Sequence, residues 1–193
     1  MSLDTARITL DKTPIASASR HGFVIGLAGW SGSGKTTLAE HLISALKALG
    51  RDVATIKHAH HLFDADVPGK DSYRHRAAGA SQVLVSSTLR SVLFTEHGIG
   101  GDHPLDNLLK ALAPTDIVLV EGFKRDPIPK IEIYREAVGK PPLWPEDEWI
   151  IATATDTTLE LQTDGAPAIV LDLNDAAAIA ELICRLPDVD KQV

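Results

Sequence analysis

An α/β protein, with helices layered on both faces of a mostly parallel central sheet, is the fold class that this 193-residue sequence predicts. Three observations predict it. From Phe23 onward, β-like apolar runs alternate with helix-period patterns, the order that builds a parallel sheet through crossover connections. Residues 117–120, Ile-Val-Leu-Val, form a nearly continuous apolar run, as a strand buried on both faces requires. The stretch Gly29-Trp-Ser-Gly-Ser-Gly34-Lys35-Thr36 matches G-x-x-x-x-G-K-[ST] in full and stands between one such run and one such helix pattern. Together they describe a P-loop NTPase, a three-layer sandwich.

Phe23 to Ala28 reads as the strand that enters the glycine loop. From Lys35 to Leu49, the residues Leu38, Leu42, Ala45, Leu46 and Leu49 fall on one helical face, and Gly50 supplies the stop. Asp52 to Lys57 reads as a second strand, followed by a polar loop. Asp71 is placed to cap a short helix through Ala78, after which Ser81–Ser87 and Ser91–Thr95 read as strands of a hairpin. Leu105, Leu108, Leu109 and Leu112 have helical spacing, with Asp102 before them and Pro114 after. Beyond the 117–120 run, Lys130–Arg135 and Trp149–Thr153 read as strands, and the proline-bearing GKPPLWPEDE between them as a surface loop. Ala168–Leu171 is a last strand. Asn174 is expected to cap a final helix whose Ile179, Leu182, Ile183 and Leu186 face inward, with Pro187 ending it. With neither a repeat nor a dividing linker, residues 22–193 are expected to form a single nucleotide-binding domain, and residues 1–21 a flexible N-terminal extension.

Composition narrows the function. A formal charge of −7 leaves no excess of base to neutralise a polynucleotide backbone, so a nucleic-acid partner is not expected. Any bound anion must be held by a local site. Cys184 is the only cysteine, which excludes an internal disulfide framework and fits a reducing compartment. No stretch approaches the roughly 20 apolar residues of a membrane span, and the first residues lack the layout of a signal peptide. The expectation is a cytoplasmic protein with no membrane contact.

The glycine loop carries the clearest chemistry. Its glycines let the backbone wrap so that successive N–H groups point inward, and the helix N-terminus adds partial positive charge toward a polyphosphate. The nucleotide is expected on Gly29, Ser31, Gly32, Ser33, Gly34, Lys35, Thr36 and Thr37, with Lys35 at the β- and γ-phosphates and the Thr36 hydroxyl on Mg²⁺. A Rossmann loop is excluded, because the glycine spacing is not G-x-G-x-x-G. Glu121 follows the apolar run and precedes Gly122, which places a carboxylate at the edge where ligands gather in open α/β sheets. Asp116 begins the same run about 17 Å away and reads as structural.

The loop His58, His60, His61, Asp64, Asp66, Lys70, Asp71 admits three readings. Imidazoles and carboxylates this dense can make a Zn²⁺ site, although no H-x₃-H or H-E-x-x-H spacing places the ligands on one helical face. Alternatively, Asp64 reaches the nucleotide's Mg²⁺ and Asp66 positions a water, as loops of nucleotide switches do. The third reading is a solvated loop. On the second of these, Lys35, Glu121 and Asp66 carry the chemistry, and Thr36, Glu121 and Asp64 ligate the metal. Lys70, Arg74, Arg76, Lys124 and Arg125 are local cations, either solvated or set against a second ligand or an acidic partner. Trp30, inside the loop, either packs on the first helix or faces a ligand or contact surface. The guanine motif N-K-x-D is absent, and TATD, residues 153–156, offers Asp156 as a base-reading carboxylate or as the start of a turn.

Taken together, GLAGWSGSGKTTL, TIKHAHHLFDADVPGKDSYRHRAAGA and DIVLVEGFKRDPIPKIEIYR resemble the molybdopterin-guanine dinucleotide biosynthesis protein B family over residues 22–136, and the final LDLND is also similar. The resemblance implies a homodimeric, guanine-nucleotide-binding P-loop protein of the signal-recognition-particle-like class, using GTP and Mg²⁺ with weak or no hydrolysis by itself. It also implies an adapter role with a molybdopterin guanylyltransferase or a molybdoenzyme as partner, and molybdopterin or its guanine dinucleotide as a further ligand. By the same resemblance, Glu121 falls in an EGFK element and Asp64 and Asp66 in the family's polar loop.

Two other functions compete. A small-molecule kinase of the uridine-kinase type has a loop much like SGSGKTT, but needs an acceptor pocket and usually an arginine-bearing lid. Residues 136–148, the only candidate lid, are acidic and lack arginine. A metal-handling chaperone would rest on His58, His60 and His61 alone.

Overall fold

β1 (Phe23–Ala28) runs into the glycine loop and α1 (Lys35–Ala48) leaves it, the strand–loop–helix order that the sequence predicts. The structure is a computed structural model and describes residues 15–59, 63–98, 103–157 and 169–189. In chain order there follow β2 (Val53–Lys57), α2 (Asp71–Ala77), β3 (Gln82–Ser86), β4 (Ser91–Thr95), α3 (Leu105–Ala111), β5 (Ile117–Glu121), β6 (Lys130–Tyr134), β7 (Ile150–Thr155), β8 (Ile169–Asp172) and α4 (Ala176–Val189). They belong to two units, one of Met1–His58 with Pro104–Val193 and one of Ala59–His103.

The larger unit is built on a six-stranded sheet in the order β2-β5-β1-β6-β7-β8, parallel at every pair. The strand that feeds the glycine loop is therefore central, with β5 on one side and β6 on the other. The direction of winding reverses beside it, and that reversal opens the ligand crevice of doubly wound sheets.

Period-two alternation sorts the core into two layers. Ile25, Leu27, Ile117, Leu119, Ile131 and Ile133 meet Leu38, Leu42 and Leu46 of α1 and Ile179, Leu182, Ile183 and Leu186 of α4. Val24, Val118 and Val120 point the other way, onto Leu105 and Leu109 of α3 and onto Ile128. Each such fully buried aliphatic contributes about 1.5–3 kcal/mol. A 3₁₀ turn, Ala16–Arg20, adds to the second layer through Ile15 and Ala18. Next to it the His21 ring lies buried, its Nε2 3.1 Å from the Leu109 carbonyl.

Residues 141–149, which overlap the 139–148 stretch expected as a surface loop, lie at the surface against the second face of β6. Polar groups in the sheet hold them there. The Glu132 carboxylate, 0% exposed, accepts the Leu143 and Trp144 backbone N–H groups, and the buried Lys130 ammonium pairs with Asp147 at 3.0 Å. Two expectations for the last helix are corrected. Asp175, not Asn174, caps α4, accepting the Ala178 N–H at 2.9 Å, because the Asn174 amide turns back to Asp172. The helix also continues through Pro187 to Val189.

In the smaller unit, β3 and β4 form the expected antiparallel hairpin, with Val83 opposite Phe94 and Leu84 opposite Leu93, and α2 packs on β3. Asp71 opens α2 from inside its first turn rather than capping it, and the cap position belongs to Lys70.

Candidate nucleotide site

The glycine loop has a conformation that side chains would prevent. Gly29 sits at φ 142°, and a Cβ there would lie 2.6 Å from the Ile133 carbonyl oxygen and 2.7 Å from Ser33 Oγ. Gly34, at φ 97°, is the left-handed residue from which α1 starts. Ser33 is 1% exposed, and its hydroxyl has no hydrogen-bond partner among the described residues. A close-wrapped loop with an orphaned hydroxyl, opening a long helix, fits a polyphosphate. Lys35 arches back over the loop and donates to the Trp30 carbonyl at 2.8 Å. Burial lowers its pKa, Glu121 opposes that, and the charges of Lys124 and Lys57 lower it further.

Thr36 and Glu121 meet. Glu121 closes β5 between Leu27 of β1 and Lys57 of β2 in the strand register. Its odd-numbered position points it to the α1 side, where it accepts the Thr36 hydroxyl at 3.2 Å. Gly122 turns the chain sharply away at φ 102°, where a Cβ would lie 2.7 Å from that of His58. A hydroxyl and a carboxylate are hard oxygen donors of the kind Mg²⁺ prefers, so this pair fits the expected metal. The Lys57 ammonium also touches both, 3.2 Å from Thr36 Oγ1 and 3.5 Å from Glu121 Oε2. Asp116, at the other end of β5, accepts the Asp52 backbone N–H at 2.8 Å and ties two strand starts together.

On the β6 side of the loop, Arg135 lies 3.6 Å from where a Gly34 Cβ would stand and pairs with Asp156 at 3.4 Å. Asp156 follows β7 and lines a cavity of roughly 340 Å³ with Thr155, Thr157, Asp172 and Asn174. The Trp30 indole N–H donates to the Pro141 carbonyl at 2.7 Å, and Lys124 stands over its ring at 4.8 Å, with Lys140 at 5.9 Å. An acidic chain thus gathers Lys35, Lys57, Lys124, Lys140 and Arg135 around one loop. Sequence reasoning missed Lys57, Lys140 and Arg135, because only the sheet order sets Lys57 beside Glu121 and only the fold brings Arg135 against Gly34.

Asp64 and Asp66 belong to the Ala59–His103 unit, where both are engaged by Arg76, Asp64 at 2.7 Å and Asp66 at 3.2 Å. Arg76 also holds Glu96 at 2.6 Å. Arg74 lies by Asp71 at 3.7 Å in an exposed pair. His60 and His61 lie outside the described residues, and the His58 ring meets Phe123 edge-on at 5.4 Å. Among the described residues no group of three or more His, Cys, Asp or Glu is arranged to hold a metal ion.

A parallel sheet whose central strand feeds a glycine loop, with lysine and threonine opening the next helix and an acid closing the adjacent strand, defines a P-loop protein of the α/β class. The family model for molybdopterin guanine dinucleotide synthesis protein B matches residues 24–156. The chain belongs to that family, whose members include molybdopterin-guanine dinucleotide biosynthesis adapter proteins. The adapter of Haemophilus influenzae is 42% identical over 83% of this chain and 86% of its own length. That of Escherichia coli K12 is 40% identical over 83% and 90%. Among solved structures, a MobB homolog from Bacillus stearothermophilus superposes with a TM-score of 0.61 at 24% identity, covering 86% of this chain and 98% of that one. Bacillus subtilis MobB does so with a TM-score of 0.59 at 26% identity, covering 83% and 95%. The kinase alternative has no support in these relatives. No helix among the described residues is long and apolar enough to cross a membrane.

Proposed function

We propose that this chain is a cytoplasmic GTP-binding adapter in the formation of molybdopterin guanine dinucleotide, acting as a homodimer beside a guanylyltransferase or a recipient molybdoenzyme. The approach of Thr36 to Glu121 across the mouth of the glycine loop carries the reading. Gly29, Ser31, Gly32, Ser33, Gly34, Lys35, Thr36 and Thr37 hold the phosphates, Thr36 and Glu121 the Mg²⁺, and Asp156 the base, at the edge of the β7–β8 cavity. Mg²⁺, when bound, neutralises charge on the β- and γ-phosphates. Lys35 adds a fixed cation there, and Arg135 links the loop to Asp156. Asp64 and Asp66, expected as metal ligand and catalytic residue, are committed to Arg76, which supports holding the nucleotide over spending it.

The hairpin supports the homodimer. A lone two-stranded sheet is marginal in water, yet this one leaves Leu84 67% and Leu93 55% exposed, area that a second copy would cover. The deciding experiment titrates GTP and ATP, each with and without Mg²⁺, and follows phosphate release in the same samples. Preference for GTP with slow release is expected. Preference for ATP would overturn the reading.

A further inference from the structure

The β2 strand ends in a lysine whose register partner is Glu121. Cross-strand neighbours of opposite charge attract each other. Here the Lys57 ammonium reaches past the carboxylate to the Thr36 hydroxyl as well, at 3.5 and 3.2 Å, while that hydroxyl donates to Glu121. The three groups close a triangle, and two of its corners are the oxygen donors read above as magnesium ligands.

We propose that Lys57 is a built-in counter-cation of this site: its ammonium sits against both Thr36 and Glu121, where Mg²⁺ would enter with the nucleotide, so metal and lysine compete for one place. The inference rests on the nucleotide reading and extends it to a residue outside the glycine-loop motif. Charge makes the competition exclusive. One carboxylate balances one ammonium, and a divalent ion at the same oxygens would face Lys57 at contact distance with Lys35 and Lys124 already close enough to bear on one another. Exposure makes it reversible. The Lys57 side chain is 58% exposed on a four-carbon stem, so it can leave into water at little cost when a doubly charged ion arrives. Without metal, the same ammonium leaves a positive charge facing the phosphates, which predicts substantial nucleotide binding without Mg²⁺.

The test measures affinity for N-methylanthraniloyl-GTP by fluorescence, in EDTA and in saturating Mg²⁺, for the full chain and for Lys57→Met, Lys57→Arg and Lys35→Ala. The readout is the ratio of the two affinities. Lys57→Met should weaken binding in EDTA about tenfold and lower the Mg²⁺ concentration needed for half-maximal binding, so the ratio rises tenfold or more. Lys57→Arg keeps the charge and should keep the ratio. A ratio that is the same in Lys57→Met and the parent overturns the counter-cation. Failure of the parent chain to bind the probe, or undiminished binding by Lys35→Ala, overturns the nucleotide site itself.

Discussion

The carboxylate of Glu132, wholly buried in β6, accepts the backbone N–H of Leu143 at 2.8 Å. A second bond from the Trp144 N–H at 3.0 Å completes a clasp that holds residues 141–149 on the sheet, and Pro141 of that segment in turn anchors the Trp30 indole. Stability and the mouth of the glycine loop are therefore connected through one buried acid.

Glu132→Ala should cost about 2–3 kcal/mol, the worth of charge-assisted bonds lost from a buried site. Burial raises the Glu132 pKa, the Leu143 and Trp144 N–H groups oppose the rise, and Asp147 adds to it. With a folded pKa above the unfolded one, the stability this group contributes is present below the unfolded value and is lost as pH rises through the folded value. Glu132→Gln removes that dependence. Its stability relative to the parent should improve as pH rises out of the acid range, measured by denaturant unfolding at several pH values; a difference constant with pH would remove Glu132 as the titrating group.

Lys35→Ala should lower nucleotide affinity by roughly tenfold to a hundredfold, since a bond to a charged phosphate is worth about 1.5–3 kcal/mol. Among the described residues Lys35 makes one hydrogen bond, to the loop's own Trp30 carbonyl, so the thermal midpoint should stay within a few degrees. Calorimetric titration and thermal unfolding of the same sample check both halves, and unaltered binding would remove Lys35 from the site.

Glu121, which ends β5, and Asp116, which precedes it, should part company. Glu121→Gln keeps the shape but removes the negative charge at the Thr36 hydroxyl, and should reduce the gain in nucleotide affinity that Mg²⁺ brings. Asp116→Ala, which frees the Asp52 N–H at the far end of the strand, should cost about 1 kcal/mol of stability and leave nucleotide affinity alone. Measuring both quantities for both variants decides it, and equal effects on affinity would undo the assignment of Glu121.

Which parts of this were legible in the sequence follows from the range of the forces involved. The strands and helices were, because each announces itself locally: Leu38, Leu42 and Leu46 repeat at the helix period and are all buried, and residues 117–120 read as doubly buried and are. The pairing of Thr36 with Glu121 was legible too, since a motif fixes one and a strand end the other. Contacts made by chance of register were not. Nothing in Lys57 or Arg135 marks them until the sheet order sets one beside Glu121 and the other against Gly34. Glu132 looked like a polar residue in an alternating strand, because only the tertiary fold brings the Leu143 and Trp144 N–H groups of the surface loop onto it. The partner of Asp64 and Asp66 was hidden for a different reason. Their loop admitted three readings, and the guanidinium twelve and ten residues further on that pairs with both carries no local mark as their partner.

That pairing gives the last prediction, confined to the Ala59–His103 unit. Arg76 joins the loop, α2 and β4 through Asp64 at 2.7 Å, Asp66 at 3.2 Å and Glu96 at 2.6 Å, and lies over the Phe94 ring at 5.1 Å. Its bond holds the Asp64 pKa below the usual carboxylate range, helped by the Asp66 N–H. For Asp66, burial pushes upward, but the Ser72 hydroxyl, the Val67 N–H and Arg76 together win and lower it. With folded values depressed, the stability these acids contribute is present above their unfolded pKa of about 4 and is lost as pH falls through the folded values. Amide exchange over residues 71–77 and 82–95 should therefore stay slow in the parent chain down to about pH 4 and quicken below it. In Arg76→Met it should already be fast at neutral pH. Equal protection in the two chains at neutral pH would show that the hairpin and α2 hold together without the arginine.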